Sequence, residues 1–166
     1  DRTPLPATIL VIAFSGEEAG LHGARDIAAD PPFALDRVIE MINCDMISRN
    51  EPNALCVEGV GAAPRLAAAV DRANRIVGLD LTRDQNLDWL RRSDQGPFLA
   101  KGVPAILFSV PDHPDYHRVT DHADKIDAEL AMKATRLMML AAHDLATAGT
   151  GGAATDAADD GGTDGD

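Results

Sequence analysis

The sequence is poor in aromatic residues, with one Trp, one Tyr and four Phe among 166 positions. It has two cysteines, too few for the disulfide framework that holds small secreted domains together. Cys44 and Cys56 lie in apolar, strand-like stretches. They could pair, but buried free thiols are the favoured reading. No apolar run approaches about 18 residues, so no membrane-spanning helix is expected. Basic clusters are also missing and the formal net charge is −12, which argues against a nucleic-acid surface. The chain opens on Asp1 without a signal-peptide pattern, which leaves the compartment open. What is present, 45% hydrophobic and 25% charged residues, suits a single globular domain able to bury a core.

The acidity is uneven. From Thr147 onward the sequence reads "TAGTGGAATDAADDGGTDGD", with five aspartates, no basic residue and nothing bulky to bury. Residues 147–166 are therefore expected to form a disordered, solvated tail. Without those five charges the body, residues 1–146, carries −7.

Four apolar runs in the body read as strands: "ATILVIAF" (7–14), "RVIEMIN" (37–43), "ALCVEG" (54–59) and "VPAILFSV" (103–110). The first is continuous and β-branched, as expected of a strand buried on both faces of a parallel sheet. Helices are expected between them. Residues 62–77 start near Pro64, line up Leu66, Val70, Ala73 and Val77, and stop at Gly78. A short helix spans Ser93 to Lys101 before Gly102. The last, from Asp127 to about Leu145, repeats Leu130, Ala134, Leu137, Met138, Ala141 and Leu145 at helical spacing, so its methionines read as core packing. Alternating buried strands and amphipathic helices predict an α/β domain of three α/β/α layers around a mostly parallel sheet.

In open α/β sheets ligands gather beyond the carboxyl ends of the strands. Glu17 and Glu18 follow the first expected strand, Asp45 the second, and His117 lies in the loop after the last. Ser15 and Glu18 also fit an S-x-x-E capping box, which would make the glutamates helix starters only. Two glutamates, an aspartate and a histidine at one sheet edge instead suit a hydrolytic zinc site. One glutamate could bind metal while its neighbour takes a proton from water.

Four ordered blocks, "FSGEEAGLHGAR", "INCDMISR", "RRSDQGPFLAKGVPAI" and "DYHRVTDHADKID", resemble metallopeptidase family 28. That family holds the di-zinc aminopeptidases and carboxypeptidases related to bacterial leucyl aminopeptidases, glutamate carboxypeptidase and glutaminyl cyclase. The resemblance covers residues from about 7 to 146. By position it implies that Glu17 is the general base and that Glu18 and His117 hold one zinc, with Asp45 on the second. Tyr116 resembles a tyrosine that hydrogen-bonds the developing oxyanion, Arg92 a substrate-contacting arginine, and Asp94 and Asp121 residues that orient ligands or loops. The implied reaction is zinc-dependent hydrolysis of a peptide bond, one residue at a time from a free N-terminus. A secreted, periplasmic or membrane-associated location is implied in the same way.

Three departures stand out. Ser48 takes the place of a usual glycine, and Gln95 replaces a histidine common after the Ser-Asp pair. The family's first zinc-ligand histidine and its bridging aspartate come from a segment before the strand that opens this chain, where only "DRTPLP" stands. The chain is therefore expected to be the C-terminal portion of a family member, with neither zinc fully liganded. Glutaminyl cyclase-like acyl transfer and a non-catalytic truncated module are the alternatives. His113 and His122 are expected to be exposed loop residues, and His22 and His143 structural. Trp89 could line a specificity pocket or pack beneath the loop. Arg91 and Arg92 could be a solvated pair.

Overall fold

A computed structural model of the protein describes residues 4–148. The expected tail lies almost wholly outside them. The elements run α1 (His22–Ala29), β1 (Met41–Cys44), β2 (Ala54–Glu58), α2 (Pro64–Val77), β3 (Asp80–Arg83), α3 (Gln95–Leu99), β4 (Ala105–Ser109) and α4 (Ala128–Ala148). Short 3-10 turns at Leu35–Arg37, Leu87–Arg91 and Ala123–Lys125 join them. The sheet has the order β1-β4-β2-β3. β1 runs parallel to β4 and β2 parallel to β3, while β2 and β4 meet antiparallel. The sheet is thus mostly parallel, as expected.

Side chains alternate across a strand, and the alternation builds the layers. Ile42, Leu55, Val57, Ile106 and Phe108 turn to one face, where Leu66 and Val70 of α2 and Leu130 and Leu137 of α4 complete the core. Full burial of each such side chain contributes roughly 1.5–3 kcal/mol. Met41 turns the other way and packs with Leu21 and Ala24 near α1 and with Phe98 of α3. These are the three layers of an α/β/α fold. Pro64 opens α2, and Gly78, at φ +77°, closes it by donating its N–H to the Asn74 carbonyl. Both ends match the sequence reading.

Several expectations fail, each for a physical reason. Residues 7–14 form no strand, and Leu10 and Val11 stand 58% and 84% exposed. A strand exists only through ladder partners, and none lies beside this run among the described residues. Ala7 N–H bonds instead to the Ala146 carbonyl at 3.2 Å, tying the run to α4. β3, "DLTR", escaped notice because an exposed edge strand of four residues shows a single apolar side chain. Cys56 is buried, but Cys44, at the end of the edge strand β1, is exposed, and both are free thiols. Met132 and Met139 lie on the solvent side of α4, and only Met138 packs against the core.

Candidate functional site

Three loops at one end of the sheet carry the predicted residues. The first, residues 15–21, is a chain of turns rather than a helix start. Gly20 and Leu21 both donate to the Glu17 carbonyl at 2.9 Å, His22 donates to Gly16 at 3.1 Å and Gly23 to Ser15 at 2.8 Å. A Cβ on Gly23 would sit 2.7 Å from the Ser15 nitrogen, so only glycine permits this approach. The expected capping box is not formed. α1 begins at His22, and its N-cap, Leu21, makes no side-chain cap. The turns consume the local backbone hydrogen bonds and leave both glutamate side chains free to face the cavity.

The second loop follows β1. Asp45 N–H extends the β1–β4 ladder to the Phe108 carbonyl at 3.0 Å, which fixes its backbone at the strand end. The third loop, residues 111–127, follows β4 and bears Tyr116 and His117. Arg49 on the second loop holds it, pairing with Asp115 at 2.8 Å and with Asp121. Asp115 also accepts from Lys125 at 2.6 Å and Thr120 at 2.7 Å. These cationic and hydroxyl donors hold the Asp115 carboxyl well below the usual carboxylate range. All three loops carry non-glycine residues in the left-handed region: Leu21 (φ +60°) in the first, Met46 (φ +56°), Asn50 (φ +68°) and Asn53 (φ +69°) in the second, and His117 (φ +54°) in the third. Such conformations cost about 1–3 kcal/mol each and persist where the surroundings over-determine them.

The loops enclose a cavity of about 420 Å³. Glu17, Glu18, Asp45, Arg92, Tyr116, His117 and Asp121 all line it, so seven of the eight predicted residues converge. Asp94 lies beneath, with Oδ1 buried and unpartnered. The closest approach is between Glu18 and His117, whose Oε2 and Nε2 are 3.1 Å apart. Tyr116 stacks on His117 with ring centroids 3.9 Å apart. Burial raises the Glu17 pKa, and the charges of Asp45, Glu18 and Asp94 raise it further. Asp94 is raised by burial and by Asp45. Burial and then Asp112 raise the Tyr116 phenol, which is therefore protonated at neutral pH. Arg92 is exposed and pairs with Asp88 at 3.4 Å.

As metal donors these groups fit in kind, carboxylate oxygen and imidazole nitrogen being what zinc takes. The unpartnered Asp94 oxygen and the raised Glu17 mark negative charge without a counter-charge. They do not by themselves complete a site: among the described residues no three His, Cys, Asp or Glu stand together as a metal cluster. Glu18 and His117 meet as a pair, and Asp45 does not join them.

Sequence reasoning missed other residues. His113 is buried, not exposed, with Nε2 3.8 Å from Asp121 Oδ2 and its ring edge-on to Tyr116. Arg49 went unremarked, although a lone arginine after "DMIS" facing a loop with five aspartates invited pairing. Asn43, Ser93 and Gln95 are buried and hydrogen-bonded to one another. Polar residues inside apolar surroundings were the signal for them. Trp89 lines the cavity, which favours the pocket reading.

Known proteins support this picture. A probable zinc metalloprotease of Leptosphaeria maculans is 26% identical, over 69% of this chain and 34% of its own length. The zinc aminopeptidase BSAP of Bacillus subtilis is 25% identical with a TM-score of 0.67, over 80% of this chain and 34% of its own. The LapA aminopeptidase of Legionella pneumophila shares the fold, with a TM-score of 0.72 at 17% identity, over 89% of this chain and 41% of its own. The chain thus spans about a third of the length of the curated relative it matches. The family model of Peptidase family M28 matches residues 1–142, so this chain, with its carboxylate and imidazole donors gathered around one cavity, belongs to Peptidase family M28.

Proposed function

We propose that these residues serve a zinc-dependent aminopeptidase that releases N-terminal residues from peptides. The observation that carries the reading is the Glu18–His117 contact at 3.1 Å, with an uncommitted Glu17 beside it on the same cavity wall. Glu18, His117 and Asp45 would hold metal. Bound zinc supplies Lewis acidity toward a peptide carbonyl and makes water acidic enough to attack near neutral pH. Glu17, with its raised pKa, is suited to take the proton of the attacking water and pass it to the leaving amine. Tyr116, protonated, can donate a hydrogen bond to the oxyanion as it develops. Arg92 can reach a substrate carbonyl from the cavity rim. The wall of Glu17, Glu18, Asp45 and Asp112 attracts the ammonium of a free N-terminus, which favours an exopeptidase.

The test compares Glu17→Gln with Glu18→Ala in the full-length protein, on one peptide with a free and with an acetylated N-terminus. Glu17→Gln should lose about 10²–10⁴-fold in turnover and keep its zinc. Glu18→Ala should lose zinc, and the acetylated peptide should resist the wild type. Equal zinc loss in both variants would sink the separate roles. A peptide beginning with Gln that cyclises and releases ammonia, without a freed residue, would assign acyl transfer instead.

A further inference from the structure

From the cavity wall, where Ser93 lies, a line of buried uncharged polar groups runs inward. Gln95 Nε2 donates to the Trp89 carbonyl at 2.9 Å. Gln95 Oε1 accepts from Asn43 Nδ2 at 2.7 Å, and the same Nδ2 donates to Ser93 Oγ at 3.0 Å. Ser93 Oγ in turn donates to Asp45 Oδ2 at 2.9 Å. Gln95 is fully buried, with Ser93 and Asn43 5% and 9% exposed.

The direction of every bond in this line follows from its first member. A backbone carbonyl only accepts, so Gln95 must turn its amide nitrogen to Trp89 and its oxygen to Asn43. Asn43 must then present its nitrogen, whose two hydrogens are both spoken for. Ser93 receives one of them, which leaves its single hydroxyl hydrogen to point at Asp45. Reversing any amide would set two acceptors or two donors face to face in a buried space and leave them unsatisfied. No side-chain nitrogen or oxygen of Asn43, Ser93 or Gln95 is buried without a hydrogen-bond partner, which favours one arrangement of the line.

We infer that Gln95, acting through Asn43 and Ser93, is a positioning residue that fixes the orientation of the Asp45 carboxylate, with its anchor on the Trp89 backbone. The inference rests on the proposed role of Asp45 in holding metal. It also accounts for Gln95 in place of histidine: the amide offers one donor and one acceptor on opposite sides, as a neutral imidazole does, so the direction of the line survives the exchange. A side chain without an acceptor facing Asn43 would let that amide turn its oxygen toward Ser93 and draw the Ser93 hydrogen away from Asp45.

The test has a metal-free and a metal-bound arm in the full-length protein. In the metal-free protein the side-chain NH₂ signals of Asn43 and Gln95 should exchange slowly with solvent, and Gln95→Leu should lose the protection of Asn43. In the metal-bound arm, zinc affinity by chelator competition should fall about 10- to 100-fold in Ser93→Ala and in Gln95→Leu. Gln95→His should recover most of that loss, which a merely structural role would not predict. Ser93→Ala removes one oxygen and keeps the fold testable if Gln95→Leu does not. Unchanged zinc affinity in Ser93→Ala, or no recovery in Gln95→His, would overturn the inference. If Glu18→Ala also keeps zinc, the proposed function fails, and the exchange measurement still judges the network alone.

Discussion

Two charged regions border the same cavity and have opposite electrostatic characters. Around Arg49 every charge is answered: Asp115 takes Arg49, Lys125 and Thr120, and Asp121 takes Arg49. Around Glu17 negative charges crowd one another, and Glu17 and Asp94 both hold their protons more tightly than free carboxylates do. The first region is built to hold a loop in place. The second is built at the expense of stability, which is what a site awaiting a cation or a proton looks like. The difference separates a region that holds a loop in place from the region proposed to bind metal and take up a proton.

The comparison can be broken at several points. The largest effect is expected from Arg49→Ala, which removes the cation shared by two loops. Backbone amides around Tyr116–Arg118 should exchange at least about tenfold faster, as charge-assisted hydrogen bonds are lost from a local opening. Unchanged exchange there would show that the loop is held by something else. A smaller effect should appear on acidification. Asp115 binds its proton less tightly in the folded chain than in the unfolded one. Its stabilisation is therefore complete above the unfolded pKa of about 4 and drains away as pH falls toward the folded value. The melting temperature of Asp115→Asn should be lower than wild type near pH 6, and the gap should narrow steadily as pH falls below about 4. Parallel curves would refute the assignment. The smallest effect should have the opposite sign. With metal removed by a chelator, Glu17 carries a charge at neutral pH that the fold penalises, and the penalty disappears as pH falls through its raised pKa. Glu17→Gln should then melt slightly higher than wild type near pH 7, and a lower value would mean that Glu17 is better compensated than its neighbours suggest.

The layers, the mostly parallel sheet and the convergence at the strand ends were legible in the sequence, because they follow from periodicity and from the placement of charged residues after apolar runs. α2 was legible to its last residue and to within two residues at its start, since Pro64 and Gly78 mark its ends chemically. What escaped was relational. "ATILVIAF" has every local property of a strand and is not one here, because pairing is a property of two segments. His113 was read as exposed since nothing in "PDHPD" reveals that Tyr116 and Asp121 fold over it. Asn43 and Gln95 stand 52 positions apart, and no spacing rule joins an amide in a strand to another at a helix start. The candidate ligands were legible as residue types, but the 3.1 Å meeting of Glu18 and His117 belongs to the folded loops.

The apolar run at residues 7–14 has a colloidal consequence. Leu10 and Val11 stand exposed on it, and an exposed apolar run outside the sheet is a place where another chain can add a strand. What opposes such contact is the formal charge of −12, which makes copies repel one another at low ionic strength. That repulsion is long-ranged and weakens with salt, whereas strand addition acts at contact and does not. Dispersion of this chain in solution therefore depends on the acidity of its whole surface, at a distance from the segment that needs guarding.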